Sequence, residues 1–103
     1  MDRLQKLKEF LEKDPRDSFL RHALALEYIK LGDDAAAKKE FEDLLTQNPA
    51  YVGSYYHLGK LLERNGDTNA AIAVYEQGMV QAKAAGDMHA HGELRGAHEE
   101  LTF

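Results

Sequence analysis

Residues 18–51 read SFLRHALALEYIKLGDDAAAKKEFEDLLTQNPAY, and residues 52–85 read VGSYYHLGKLLERNGDTNAAIAVYEQGMVQAKAA. Laid one over the other, the two stretches share a pattern at an offset of 34 residues. Leu24 falls on Leu58, Ala25 on Gly59, Gly32-Asp33 on Gly66-Asp67, Ala37 on Ala71 and Phe41 on Tyr75. The pairs Asp14-Pro15 and Asn48-Pro49 stand at the same offset. A fixed period of this size marks one supersecondary unit repeated in tandem, each copy burying its apolar face against the next.

The residue types at these positions fit two helices in each copy, the first here called A and the second B. Glycine at 32 and 66 suits the left-handed turn that closes a helix, and the aspartate after it suits the cap of the next one. Pro15 and Pro49 end the preceding helices, because the residue before a proline avoids helical angles. Ala25, Gly59, Ala37 and Ala71 are small, as close approach of two helix backbones requires. Leu24, Tyr28, Phe41, Leu58, Leu62 and Tyr75 are large enough to fill the space between helices.

Period and residue types together resemble the tetratricopeptide repeat, whose pattern runs W-x2-L-G-x2-Y, then A-x3-F, then P. Residues 18–51 supply Leu24, Ala25, Tyr28, Ala37, Phe41 and Pro49, and depart at the tryptophan position, which holds Arg21. Residues 52–85 supply Tyr55, Leu58, Gly59, Leu62, Ala71 and Tyr75, and depart at the final proline, where Lys83 stands. The resemblance implies an all-α tetratricopeptide-repeat solenoid of antiparallel helix pairs.

The flanks extend the scheme to about six helices. Residues 1–14 read as a half-repeat helix of B type, with Leu4, Leu7 and Leu11 at helical spacing and Phe10 beside them. Without a proline to stop it, the second B helix runs from about Asn69 to Ala84. Gly86-Asp87 repeats the turn signal, and residues 87–102 form a capping helix with Ala90, Leu94, Ala97 and Leu101 on one face. The expected organisation is one domain, 1–103, with repeats at 18–51 and 52–85.

Composition narrows the function classes. The 103 residues are 44% hydrophobic and 30% charged, typical of a folded globular chain rather than a disordered one. Net charge is −5 with Lys and Arg scattered among acids, so no basic stripe awaits nucleic acid. There is no cysteine, which removes disulfides and thiolate metal sites. The first residues lack the apolar run of a signal peptide, and no apolar run is long enough to span a membrane. A cytoplasmic location is expected.

The chemistry-bearing patterns are sparse. No G-x-S-x-G, no H-E-x-x-H and no phosphate-cradling glycine loop occurs, so no catalytic residue and no cofactor is expected. His91, Arg95 and His98 share a helical stripe, but a guanidinium between two imidazoles opposes a metal. The histidines are read as solvated surface residues. Glu99 and Glu100 are adjacent on a helix and diverge.

What the resemblance does imply is a concave, ligand-binding face lined by the A helices. Carried onto this chain, the first A helix offers Phe19, His22, Leu26, Ile29 and Lys30, and the second offers Tyr56, Lys60, Glu63 and Arg64, with Gly53 at its start. Spacings of three and four place each set on one stripe. Some members of the family grip a chaperone's terminal carboxylate, but their clamp asparagine positions hold Leu26 and Lys60 here, which argues against that ligand. Lys60 and Arg64 remain candidates for attracting an acidic peptide, unless Glu63 and neighbouring acids balance them. The expected function is a scaffold or adaptor that binds a peptide or partner helix. The alternative is a self-association module, a homodimer formed over Phe19, Leu26 and Ile29 on a helix that carries a second apolar stripe at Leu20, Leu24, Tyr28 and Leu31.

Overall fold

Aspartates open almost every helix of this protein. The computed structural model describes residues 2–103 and contains six α-helices: α1 (Arg3–Lys13), α2 (Ser18–Lys30), α3 (Asp34–Gln47), α4 (Gly53–Arg64), α5 (Thr68–Ala85) and α6 (Met88–Thr102). Asp2, Asp17, Asp33, Asp67 and Asp87 each accept a hydrogen bond from the backbone N–H three residues on, at 2.8–3.3 Å. Each carboxylate thereby satisfies an amide that the helix itself leaves unpaired. Helix α4 differs: Val52 precedes it and makes no side-chain cap. Its first amides reach back instead to the carbonyls of Tyr51 and Val52, both at 3.3 Å.

The helix ends follow the sequence as directly. Gly32, Gly66 and Gly86 adopt φ of 81°, 82° and 72°. At each, the following aspartate N–H donates to a carbonyl five residues back, at 2.9 Å, which closes the helix in a left-handed turn. Before the prolines, Asp14 and Asn48 leave helical geometry at φ of −141° and −139°. The predicted all-α architecture is present, and no strand occurs among the described residues.

Loss of one cap makes a quantitative expectation. Asp87→Ala removes the acceptor for the Ala90 amide and should lower stability by about 1 kcal/mol. The urea midpoint checks this, with an unchanged denaturant slope showing that the native state is otherwise intact.

The chain divides into two compact units, residues 1–48 and 49–103. In the first, Leu7 and Leu11 of α1 pack with Ala23 and Leu24 of α2, flanked by half-buried Leu4, Leu20 and Tyr28. Helix α3 buries Ala37, Phe41 and Leu44, and α2 packs along it. Arg21, which departs from the repeat pattern, links three segments. Its Nη1 lies 3.0 Å from Glu40 Oε2 on α3, and its Nη2 donates to the Pro15 carbonyl at 3.1 Å. A guanidinium with a fork of donors does by hydrogen bonding what a large ring does by volume. Two apolar residues do not join this core as the stripe pattern suggests. Phe10 and Leu31 are 53% and 59% exposed.

The second unit buries Tyr55, Leu58, Leu61 and Leu62 of α4, Ala71, Tyr75 and Ala82 of α5, and Leu94 and Ala97 of α6. Helix α5 packs against both α4 and α6, and α6 also touches α4. The closest approach is at Gly59, where a β-carbon would stand 2.1 Å from Cε1 of Tyr75. Tyr55 donates its hydroxyl to the Pro49 carbonyl at 2.6 Å, and burial raises its pKa above the usual phenol value.

Candidate functional site

The A-helix residues that the repeat pattern singles out fall in two places. On α2, in the first unit, Phe19 is 67% exposed and Lys30 is exposed near the helix end. His22 is half-buried and meets Phe41 edge-on, with ring centroids 5.8 Å apart. Leu26 and Ile29 are also half-buried. Of the three residues over which a dimer would form, only the phenylalanine projects, while the two aliphatic side chains are partly covered.

On α4, in the second unit, three of the predicted residues converge. The Lys60 ammonium lies 5.5 Å from the centre of the Tyr56 ring and 3.5 Å from Glu63 Oε2. Positions 56, 60 and 63 meet because steps of four and three return to one helix face. Arg64 is exposed at the end of α4. Gly53 is exposed, with open space around it.

Two further residues complete the cluster and were not singled out as site residues. Glu100 of α6 brings Oε2 to 3.9 Å from the Lys60 ammonium. Tyr75 of α5, fully buried, donates its hydroxyl to Glu63. Burial, and then the Glu63 carboxylate, push the Tyr75 phenol far above its usual range, so it is a permanent donor. Its ring centre lies 6.5 Å from that of Tyr56. The hydroxyl had no legible acceptor in the sequence, and Glu100 depends on how α6 lies against α4. Glu99 turns away to Arg95, at 3.3 Å, so the adjacent acids diverge as their spacing dictates.

The histidines are more engaged than surface residues need be. His57 is half-buried beside Tyr56. Burial lowers its basicity, against an opposing pull from Glu93, so it adds no charge to this face near neutral pH. His98 Nε2 lies 3.0 Å from Glu76 of α5, and His89 pairs with Glu93 at 3.4 Å. A hollow of about 330 Å³ between α5 and α6 lies over Met79 and Val80, rimmed by Glu76, Lys83, His91 and His98. Among the described residues, no three His, Asp or Glu side chains form a group that could hold a metal ion. No helix among them is long and apolar enough to cross a membrane.

Comparison with known proteins agrees with this architecture. Residues 20–51 and residues 40–73 each match a model of the tetratricopeptide repeat. A TPR repeat-containing protein of Pseudomonas aeruginosa is 30% identical over 91 residues, spanning 88% of this chain and 87% of the relative. The chain belongs to the tetratricopeptide-repeat family. The match over residues 40–73 starts within α3 and ends within α5, so it takes a B helix with the A helix that follows. Among solved structures, a tetratricopeptide-repeat domain protein from Salinibacter ruber is 43% identical. It covers 85% of this chain and 89% of its own, with a TM-score of 0.82. The first TPR domain of Spaghetti, solved with an HSP90 peptide, has the same fold at 20% identity and a TM-score of 0.76. That alignment covers 97% of this chain and 80% of the Spaghetti domain. Tetratricopeptide repeats generally mediate protein–protein interaction and are generally non-enzymatic scaffolds.

Proposed function

We propose that this tetratricopeptide-repeat chain is a scaffold or adaptor that binds a peptide or a partner helix on its A-helix faces. The repeat register is 18–51 and 52–85, with flanking helices at 1–14 and 87–102, and the whole chain serves as one interaction module. The α4 face, with Tyr56, Lys60, Glu63 and Arg64, is the principal surface. The α2 face, with Phe19, His22, Leu26, Ile29 and Lys30, is the other. The observation that carries the reading is the convergence at Tyr56: a half-buried ring with charged groups of both signs within reach of it. Aromatic anchors set among polar groups dominate binding energy at protein interfaces.

The HSP90 peptide held by the Spaghetti domain ends in acidic residues. The asparagine positions of such a clamp hold Leu26 and Lys60 here, so that ligand class is not the one proposed. A second reading, self-association over α2, is favoured by one observation, the exposed ring of Phe19. Light scattering of the purified chain separates the two, because Phe19→Glu splits a dimer built on that face and leaves a monomeric adaptor unchanged.

Tyr56→Ala tests the principal surface. Partner capture from native extract, followed by affinity measurement with the partner so identified, should weaken by about 30-fold, the effect of losing one anchor worth about 2 kcal/mol. The melting temperature should fall by only a few degrees. Undiminished affinity in this variant would remove α4 from the binding surface.

A further inference from the structure

The ammonium of Lys60 occupies a position that is built from three sides. The Tyr56 ring lies 5.5 Å from it, Glu63 Oε2 3.5 Å and Glu100 Oε2 3.9 Å. The first two belong to α4, and the third arrives from α6. The Glu63 carboxylate is not free to follow a departing lysine, because the buried Tyr75 hydroxyl holds it in place. A carboxylate oriented from beneath by a fixed donor is the arrangement that pre-organises a binding site. Above it, an aromatic face attracts a cation through its quadrupole. We propose that Tyr56, Glu63 and Glu100 form a receptor for a lysine or arginine side chain of a basic partner segment, and that Lys60 fills this receptor while no partner is bound.

The proposal rests on the reading of α4 as a binding face and fixes the chemistry of what binds there. The sign of the partner follows from the local charges. Two carboxylates face one ammonium, so the cluster is net negative. Residues 49–103 as a whole carry seven acidic side chains against four Lys and Arg, and such a field draws basic partners. An acidic segment arriving at Lys60 meets both carboxylates within 4 Å of its target. It can displace Glu100, whose side chain is 73% exposed, but not Glu63. A basic segment is opposed by Lys60 and by Arg64, the exposed cation at the end of α4. Lys60 is itself part-exposed and can extend into solvent on its flexible stem. Arginine fits better than lysine, since its planar fork stacks on the ring and reaches a carboxylate at once.

Fluorescence anisotropy with three labelled peptides tests this: an alternating Gly-Arg pentapeptide, its Lys counterpart and its Glu counterpart. The Arg peptide should bind most tightly and the Glu peptide not at all. Lys60→Met, which empties the receptor and keeps the stem, should tighten the Arg peptide by about three- to fivefold, the scale of one part-exposed charge pair. Glu100→Gln should loosen it by a similar factor. Glu42→Gln, on α3, changes the net charge identically without touching the cluster and should have no effect. Equal weakening by Glu42→Gln and Glu100→Gln would overturn the proposal, because binding would then follow overall charge. So would binding of the Glu peptide that Lys60→Met abolishes, or no binding of the Arg peptide at millimolar concentration. With the native partner, loss of capture by both Tyr56→Ala and Lys60→Met keeps α4 as the binding face and discards the cation receptor. Capture indifferent to both variants discards the face itself.

Discussion

Phe41→Ala is expected to lower stability by about 3–5 kcal/mol, the largest effect of any substitution considered for this chain. The ring is fully buried on α3, with His22 of α2 edge-on to it. Truncation removes most of the transfer energy of an aromatic side chain and leaves a void in a close-packed interior. A small domain has about 5–15 kcal/mol in total, so the variant should be close to unfolding at room temperature. Phe10→Ala is the matching control. It removes the same ring from a half-exposed edge of α1 and should cost far less. Urea titration of both, followed by circular dichroism, gives the comparison. Equal midpoints would mean that the two phenylalanines are not placed as described.

Gly59→Ala carries the second large expectation, and its sign runs against helix propensity. In an open helix alanine is better than glycine by about 1 kcal/mol. At position 59 the added methyl group would stand 2.1 Å from Cε1 and 2.6 Å from Cζ of Tyr75. That ring cannot retreat easily: it is fully buried, and its hydroxyl is engaged with Glu63. Either α4 and α5 move apart or the ring turns and gives up its acceptor. Overpacking of this kind costs about 1–3 kcal/mol, so Gly59→Ala should destabilise on balance. Gly96→Ala on α6, where nothing lies within 4 Å of the added atom, should do the opposite and stabilise by about 0.4–1 kcal/mol. Thermal melts of the pair decide the matter, and two shifts of the same sign would rule out the close helix contact at Gly59.

The sequence made the helices legible because their ends are marked by local chemistry. An aspartate caps an amide three residues away, and a glycine turns the chain where it stands, so each boundary lies within a few letters of its cause. The departure at Lys83 was legible in the same way, since a helix with no proline to stop it runs on to Gly86. The role of Arg21 was not, because its acceptor on Glu40 lies 19 positions away and no local rule links the two. The exposure of Phe10 and Leu31 was equally hidden. Spacing places them beside buried neighbours but does not say which side chains another helix covers.

The α4 face shows the same division. Tyr56, Lys60 and Glu63 could be grouped from spacing alone, since one helix brings them together. Glu100 could not, because its approach depends on the lie of α6 across α4. Tyr75 matched a core position of the repeat and was read only as volume, yet its hydroxyl fixes the orientation of Glu63. A pattern that scores an aromatic ring as filler is blind to the one atom that distinguishes tyrosine from phenylalanine.

The turns at Gly32, Gly66 and Gly86 have a bearing on how such chains change over generations. The backbone and capping hydrogen bonds that form the turn at Gly32 lie between Glu27 and Ala37, and the other two turns are built likewise. None of these bonds reaches into another part of the molecule. A joint that is self-contained can be copied together with the helices on either side of it, and it will close the same way in its new place. Tandem duplication or deletion of a 34-residue segment therefore alters how many units an array has without demanding that any joint be reinvented. What has to adapt afterwards is only the surface where the new unit meets its neighbours, and that surface is where natural selection finds room to vary the ligand.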